Sequence, residues 1–325
     1  MPRKQRMKRT FPLASSIFGR LSDHSGNCGG LTRGKKLKDA HPFSSLSRPI
    51  PSQPRNLKSY SRIGTFTSLR TNISHFHRTM SSDKACCTLP PAEAEYTPKG
   101  SYETLAGLKT YVVGPDLDKA KGAVLCVYDI FGFSPQILQG ADLLSAGGFK
   151  VYMPDFCAGE YATAEMFSGT PEGNAQKAKY FGGFPGRVES QSKPVAETVN
   201  ALKELGFKSI GGVGYCWGYK CLVVSEGAGL FHAIVGAHPS FAAVTDADPI
   251  SSPLLLLPSQ AEDIEVMNVI AESVNARLPG KASVKAFPES VHGFAAARAN
   301  LHNEVEKAKF HEAYTDMVDF FCANL

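Results

Sequence analysis

Ser209-Ile210-Gly211-Gly212-Val213-Gly214-Tyr215-Cys216-Trp217-Gly218-Tyr219-Lys220-Cys221-Leu222-Val223-Val224 is the stretch on which the fold is decided. An apolar, strand-prone run enters Gly214-Tyr215-Cys216-Trp217-Gly218, and a helix-compatible run leaves it. Strand, Gly-x-nucleophile-x-Gly, helix is the pattern of a nucleophile elbow. The turn is sharp, and glycines at its flanks let strand and helix approach without Cβ clashes. The central side chain is then forced out at the top of a sheet, beside a helix N-terminus. Unpaired N–H groups and the helix macrodipole favour negative charge there, so a thiol at Cys216 is biased towards thiolate. A lone cysteine is more often a small buried hydrophobe. The elbow reading therefore needs a base and an orienting acid further along the chain.

Both are present in the required order. Leu254-Leu255-Leu256-Leu257-Pro258 reads as a short buried strand, followed by Ser259-Gln260-Ala261-Glu262-Asp263. The strand-like Ser283–Phe287 run precedes Val291-His292-Gly293-Phe294. Asp263 lies 47 residues after Cys216, and His292 a further 29 on. Such gaps hold one or two βα units, as parallel neighbours require. Upstream, Leu108–Val113 and Gly122–Tyr128 read as strands, Pro135–Ala146 as a helix and Phe149–Met153 as another strand. Residues 156–189 read as loops and short helices over the site. Gln191–Gly206 is an amphipathic helix with a glycine stop, Phe231–Ala237 a strand and Asn303–Asn324 a closing helix. Strands alternating with helices predict an α/β fold, a mainly parallel sheet with helices on both faces. His238, after the Phe231–Ala237 strand, is a rival base; it reads better as a structural or wall residue. Phe131, Phe133 and Trp217 read as substrate-binding walls of an apolar pocket, with ordinary core packing as the plain alternative.

Four segments together resemble the dienelactone hydrolase family of α/β-hydrolases. They are Tyr128-Asp129-Ile130-Phe131-Gly132, Gly214-Tyr215-Cys216-Trp217-Gly218, the acid after the leucine run, and His292-Gly293-Phe294. The resemblance runs from about Tyr102 to Leu325. It implies the α/β-hydrolase fold and a Cys-His-Asp triad that opens enol lactones or related esters. Carried over by motif, Cys216 is the nucleophile, His292 the base and Asp263 the orienting acid. Glu262 takes the acid's place if the loop register shifts by one. The resemblance implies that Asp129 modulates the resting thiol, although a carboxylate capping its own loop is an equal reading. It also implies an arginine beyond the histidine for a substrate carboxylate. Here Ala295-Ala296-Ala297 intervene before Arg298, so that role and a solvated surface arginine both stay open. In the mechanism that follows, the backbone N–H groups of Ile130 and Trp217 form the oxyanion hole. The expected product of attack is a thioester acyl-enzyme. A broader carboxylesterase or thioesterase, and a non-catalytic binding or redox-sensing protein, are the competing functions.

The chain has 325 residues, and its charge is divided. Residues 1–79 carry 16 Lys+Arg against 2 Asp+Glu, a net of +14. The remainder carries 19 against 28, a net of −9. The overall +5 describes neither part and does not argue for nucleic-acid binding by the folded region. Residues 1–79 are rich in Arg, Ser and Pro and lack apolar periodicity, so they are not expected to bury a core. They read as a mitochondrial transit peptide or as the product of a misplaced start, with Met80 beginning a hydrolase domain over 80–325. The expected location is accordingly cytoplasmic or mitochondrial. Eight cysteines, no CxxC and no Cys/His cluster at zinc spacing point to free thiols and no metal site. Cys86-Cys87 is an adjacent pair in the lead-in, and Cys126 and Cys221 sit in apolar runs. No apolar run reaches the ~18 residues of a membrane span. The expected partner is a small lactone or ester, with no cofactor, no nucleic acid and no membrane, on a monomer or small homo-oligomer.

Overall fold

The structure, a computed structural model, describes residues 91–226 and 229–325. The readings made for 1–79, for a start at Met80 and for Cys86-Cys87 lie outside the described residues. Among the described residues eight strands form one sheet: β1 (Ser101–Leu105), β2 (Leu108–Val113), β3 (Ala123–Val127), β4 (Lys150–Pro154), β5 (Ile210–Tyr215), β6 (Ala233–Ala237), β7 (Leu254–Leu257) and β8 (Ala282–Val284). Their spatial order is β1-β2-β4-β3-β5-β6-β7-β8. β1 and β2 join antiparallel; from β4 to β8 all pairs are parallel. The sequence reading did not include β1. Its hairpin turns on Ala106 and Gly107, at φ 49° and 78°, the left-handed pair that matches strand twist in a two-residue loop.

The helices are α1 (Pro135–Ala146), α2 (Pro171–Gly182), α3 (Ser192–Glu204), α4 (Trp217–Glu226), α5 (Ile264–Arg277) and α6 (Glu304–Asn324). Ser134 caps α1 and Asn303 caps α6, each side chain accepting N–H groups that the first turn leaves unpaired. α5 was not foreseen. Its apolar positions Met267, Ile270 and Val274 recur at helical spacing and are buried.

Central strand β5 shows why glycine recurs there. A Cβ on Gly211 would meet the Phe321 ring of α6 at 2.6 Å, on one face. A Cβ on Gly212 would meet Phe231 at 3.0 Å, with Leu222 of α4 at 3.3 Å, on the other. Successive strand residues point to opposite faces, so the sheet is covered on both sides at this point. The elbow glycines are tighter still. A Cβ on Gly214 would lie 2.4 Å from the Tyr219 backbone, and one on Gly218 would lie 2.1 Å from the Val127 carbonyl oxygen. Both obstacles are backbone and cannot rotate away. Gly218→Ala is therefore expected to destabilise the fold by about 3 kcal/mol or more, at the upper end for overpacking, read as a lower urea midpoint.

Between β4 and α3, residues 155–191 form a cap segment containing α2 and two 3₁₀ turns, Ala164–Phe167 and Val188–Gln191. Its base is tied by buried groups. Gln191 Nε2 donates to the Phe156 and Pro185 carbonyls at 3.1 and 2.8 Å, and the Trp217 indole N–H donates to Gly186 O at 2.7 Å. Among the described residues no helix is long and apolar enough to cross a membrane.

Candidate active site

The parallel strands deliver the reactive residues to one edge of the sheet. β5 ends at Tyr215, and Cys216 follows at φ +55°, a left-handed conformation that a non-glycine residue holds only under constraint. Backbone bonds on both sides supply the constraint. The Cys216 N–H donates to Ala237 O, and its carbonyl accepts the Ser240 N–H, both at 3.0 Å. Trp217 opens α4, so the thiol stands at that helix's N-terminus.

Cys216 Sγ lies 3.1 Å from Ser240 Oγ, and Ser240 Oγ lies 3.5 Å from His292 Nε2. His292 Nδ1 lies 2.5 Å from Glu262 Oε1, both side chains being buried. The other Glu262 oxygen accepts the Ser259 N–H at 2.5 Å. Thiol, hydroxyl, imidazole and carboxylate thus form one continuous chain. A carboxylate facing Nδ1 favours the tautomer with its proton on that nitrogen, which leaves the Nε2 lone pair on the side of Ser240.

This geometry corrects the expectation for Asp263. That residue is exposed, and its carboxylate accepts the Glu265 and Val266 N–H groups at 3.0 and 3.3 Å, as the N-cap of α5. The first turn of the unforeseen helix claims Asp263, and the register moves back by one to Glu262. Asp followed by Glu265 and an apolar period from Val266 is a helix start, and that signal was present in the sequence.

Asp129 takes the loop-capping reading. One oxygen accepts the Phe131 N–H at 2.9 Å and the other the Ala297 N–H at 3.2 Å. Burial pushes its carboxyl above the usual carboxylate range, opposed by those two N–H groups and by the nearby Arg298 and His292.

Arg298 is buried, which removes the surface reading. The three alanines do not carry it away. Gly293 at φ +90° starts a tight turn in which the N–H groups of Ala296 and Arg298 both donate to its carbonyl, at 2.9 and 3.2 Å. The chain folds back, Arg298 Nη1 comes within 3.5 Å of the His292 carbonyl, and the guanidinium sits 5.4 Å from the Phe131 ring centroid.

The predicted pocket walls separate. Phe131 stays at the site, beneath Arg298 and edge-on to Phe167 at 6.1 Å. Phe133 instead joins a neighbouring aromatic cluster, edge-on to Tyr128 and Tyr102 at 5.4 and 5.5 Å. Trp217 is fully buried and anchors the cap through its indole, so its side chain is a core group rather than an open wall. The oxyanion-hole candidates Ile130 and Trp217 lie in the loops after β3 and β5. Those strands are paired neighbours, with Val127 opposite Gly214, and Gly218 lies against the Val127 and Tyr128 carbonyls.

His238 packs edge-on to His292, with ring centroids 5.1 Å apart, and against Tyr215 and Phe294. Neither of its ring nitrogens has a hydrogen-bond partner among the described residues. Desolvation, then the neighbouring His292 and Arg298, push its pKa well below the ordinary 6.5. Below pH 6.5 the unfolded chain protonates this residue and the folded chain does not, so stability falls as pH drops through that window. His238→Phe is expected to flatten this decline, by at most about 1.4 kcal/mol per pH unit, in urea titrations run across the window.

A sequence profile of the Dienelactone hydrolase family matches residues 108–325. The chain belongs to the dienelactone hydrolase family. An AIM2 family protein of Schizosaccharomyces pombe is 34% identical over 246 residues, covering 73% of this chain and 98% of the relative. A carboxymethylenebutenolidase homolog of Xenopus tropicalis is 28% identical, covering 70% of this chain and 91% of its own. Among solved structures, a putative dienelactone hydrolase from Klebsiella pneumoniae superposes with a TM-score of 0.53 at 15% identity, over 68% of this chain and 97% of that one. As a dienelactone hydrolase family member the chain is a hydrolase with the α/β-hydrolase fold.

Proposed function

We propose that this dienelactone hydrolase-like protein cleaves a lactone or activated ester by acyl transfer to Cys216. The observation that carries the reading is the continuous buried chain from the Cys216 thiol at its strained elbow to the His292–Glu262 pair. The imidazole accepts the thiol proton, and the sulfur attacks the carbonyl carbon. Negative charge develops on the carbonyl oxygen, where the Ile130 and Trp217 N–H groups receive it. The alkoxide or enolate departs with the proton held on His292, leaving a thioester. Water deprotonated by His292 then cleaves the thioester, and Glu262 steadies the imidazolium in both halves.

Arg298 supports a substrate with a carboxylate of its own. Its buried guanidinium lies near the base and over the Phe131 ring, and a guanidinium is a favourable neighbour for a carboxylate. It would place an acidic lactone with its carbonyl towards Cys216.

A panel of acidic and neutral lactones and aryl esters, quenched early and read by intact mass spectrometry, tests the reading. The expected result is one acyl adduct, mapped by peptide digestion to Cys216, with acidic substrates turned over best. An adduct mapped to Ser240, or turnover with no adduct and no response to thiol alkylation, would overturn it.

A further inference from the structure

Ser240 belongs to none of the motifs that announced the site. It sits in the loop after β6, fully buried. Its hydroxyl lies between the two groups that must exchange a proton, 3.1 Å from Cys216 Sγ and 3.5 Å from His292 Nε2. We propose that Ser240 is the proton relay of this enzyme, carrying the thiol proton of Cys216 to His292. The proposal rests on Cys216 being the nucleophile.

Three features favour a built position over a chance contact. The Ser240 N–H donates to the Cys216 carbonyl at 3.0 Å, so the hydroxyl is registered to the elbow through the backbone. The loop is pinned at its start, where the His238 N–H donates to Leu257 O at 2.9 Å. It is also strained on both sides of Ser240, with His238 at φ +36° and Phe241 at φ +57°. Left-handed conformations at non-glycine residues persist only where the surroundings enforce them, and they gather at functional sites.

A hydroxyl has one proton to give and two lone pairs to receive, which is the inventory of a relay. In the resting site the Cys216 S–H donates to Ser240 Oγ, and the Ser240 O–H donates to His292 Nε2. On attack, the sulfur proton passes to Oγ as the Oγ proton passes to Nε2. The S–H pair becomes the sulfur–carbon bond, and the carbonyl π pair moves to oxygen. One proton has moved from sulfur to nitrogen, and the serine is regenerated with its hydrogen reversed. Before the sulfur–carbon bond closes, that hydrogen points at the thiolate and lowers its energy. Glu262 on the far side of the imidazole holds the ring so that Nε2 faces the hydroxyl.

The decisive measurement follows the thiol itself. Iodoacetamide alkylation of the Cys216 peptide is timed by mass spectrometry across pH about 5 to 9, the range in which activated thiols ionise. In Ser240→Ala the neutral-pH rate is expected to fall about tenfold or more. Ser240→Thr, which restores a hydroxyl, is expected to stay within about threefold of wild type. A proton inventory of wild-type acylation in H₂O/D₂O mixtures is expected to bow, because two protons are in flight. A Ser240→Ala profile matching wild type in rate overturns the relay, and so does a linear inventory. If Ser240→Ala does not fold, the wild-type inventory decides. Ester hydrolysis persisting in Cys216→Ala sinks the nucleophile reading instead, and alkylation of the Ser240 variants tells the two failures apart.

Discussion

Cys216→Ala is expected to lose ester and lactone hydrolysis by a factor of about a thousand or more while keeping the wild-type melting temperature. The chemical half of the expectation follows from the site. Removing the sulfur takes away the group that forms the acyl intermediate, and Ser240 Oγ, 3.1 Å from the sulfur, belongs to the loop after β6 and not to the elbow. The folding half follows from the position of the residue. Cys216 is held by its backbone bonds to Ala237 and Ser240, which alanine retains. One sulfur atom is a small loss to a core in which Trp217, Tyr215 and Tyr219 are fully buried neighbours. Steady-state turnover on the best substrate of the panel and a thermal melt of the same preparation check both halves. Near-wild-type turnover in a folded variant would refute the assignment.

The second large effect separates two adjacent acids. Glu262→Gln is expected to lower kcat by about a hundredfold to ten-thousandfold. The amide can present its NH₂ where Nδ1–H needs an acceptor, which turns the imidazole to the wrong tautomer. It also weakens the bond that the second oxygen accepts from the Ser259 N–H. Asp263→Asn should leave kcat within about twofold, because asparagine caps a helix as well as aspartate does. Asp263→Ala should cost about 1 kcal/mol of stability and little turnover. The inverse ranking of the two kcat values would return the orienting role to Asp263.

The elbow was legible because its constraints are local. The two glycines follow from backbone clearance, and the clearances at Gly214 and Gly218 are the reason. The alternation of strands and helices was legible for the same kind of cause, since buried parallel strands are continuous apolar runs such as Leu254–Leu257. What escaped was settled by contacts between distant segments. Glu262 and Asp263 differ by one register position, and the register depends on where α5 begins. Overlooking a helix of 14 residues therefore put its N-cap Asp263 ahead of Glu262, the carboxylate that reaches His292. Arg298 looked remote in sequence because a tight turn at Gly293 is not visible as spacing. Ser240 carries no motif at all. It reaches the site because β6 is the neighbour of β5, and a strand order cannot be read from residue types alone. Phe131 and Phe133 are two apart and looked equivalent, yet one packs under Arg298 and the other against Tyr128.

The hydrogen bonds at the root of the cap segment have a consequence for how this scaffold can diversify. Gln191 and the Trp217 indole clasp residues 155–191 where the excursion leaves and rejoins the domain. With the base closed, extra length inside the excursion adds only the slowly growing entropy of a longer loop, about 0.6 kcal/mol per doubling. Insertions around α2, whose Phe181 packs on Phe241 beside Ser240, can then reshape that side of the site while the elbow, the relay and the imidazole, all rooted in other strand ends, keep their spacing. Whatever selectivity the excursion sets and the bond-breaking chemistry are in this sense inherited separately. A chimera carrying a relative's excursion between Phe156 and Gln191 should shift the first, while the preference for acidic substrates, rooted in Arg298, and the chemistry stay.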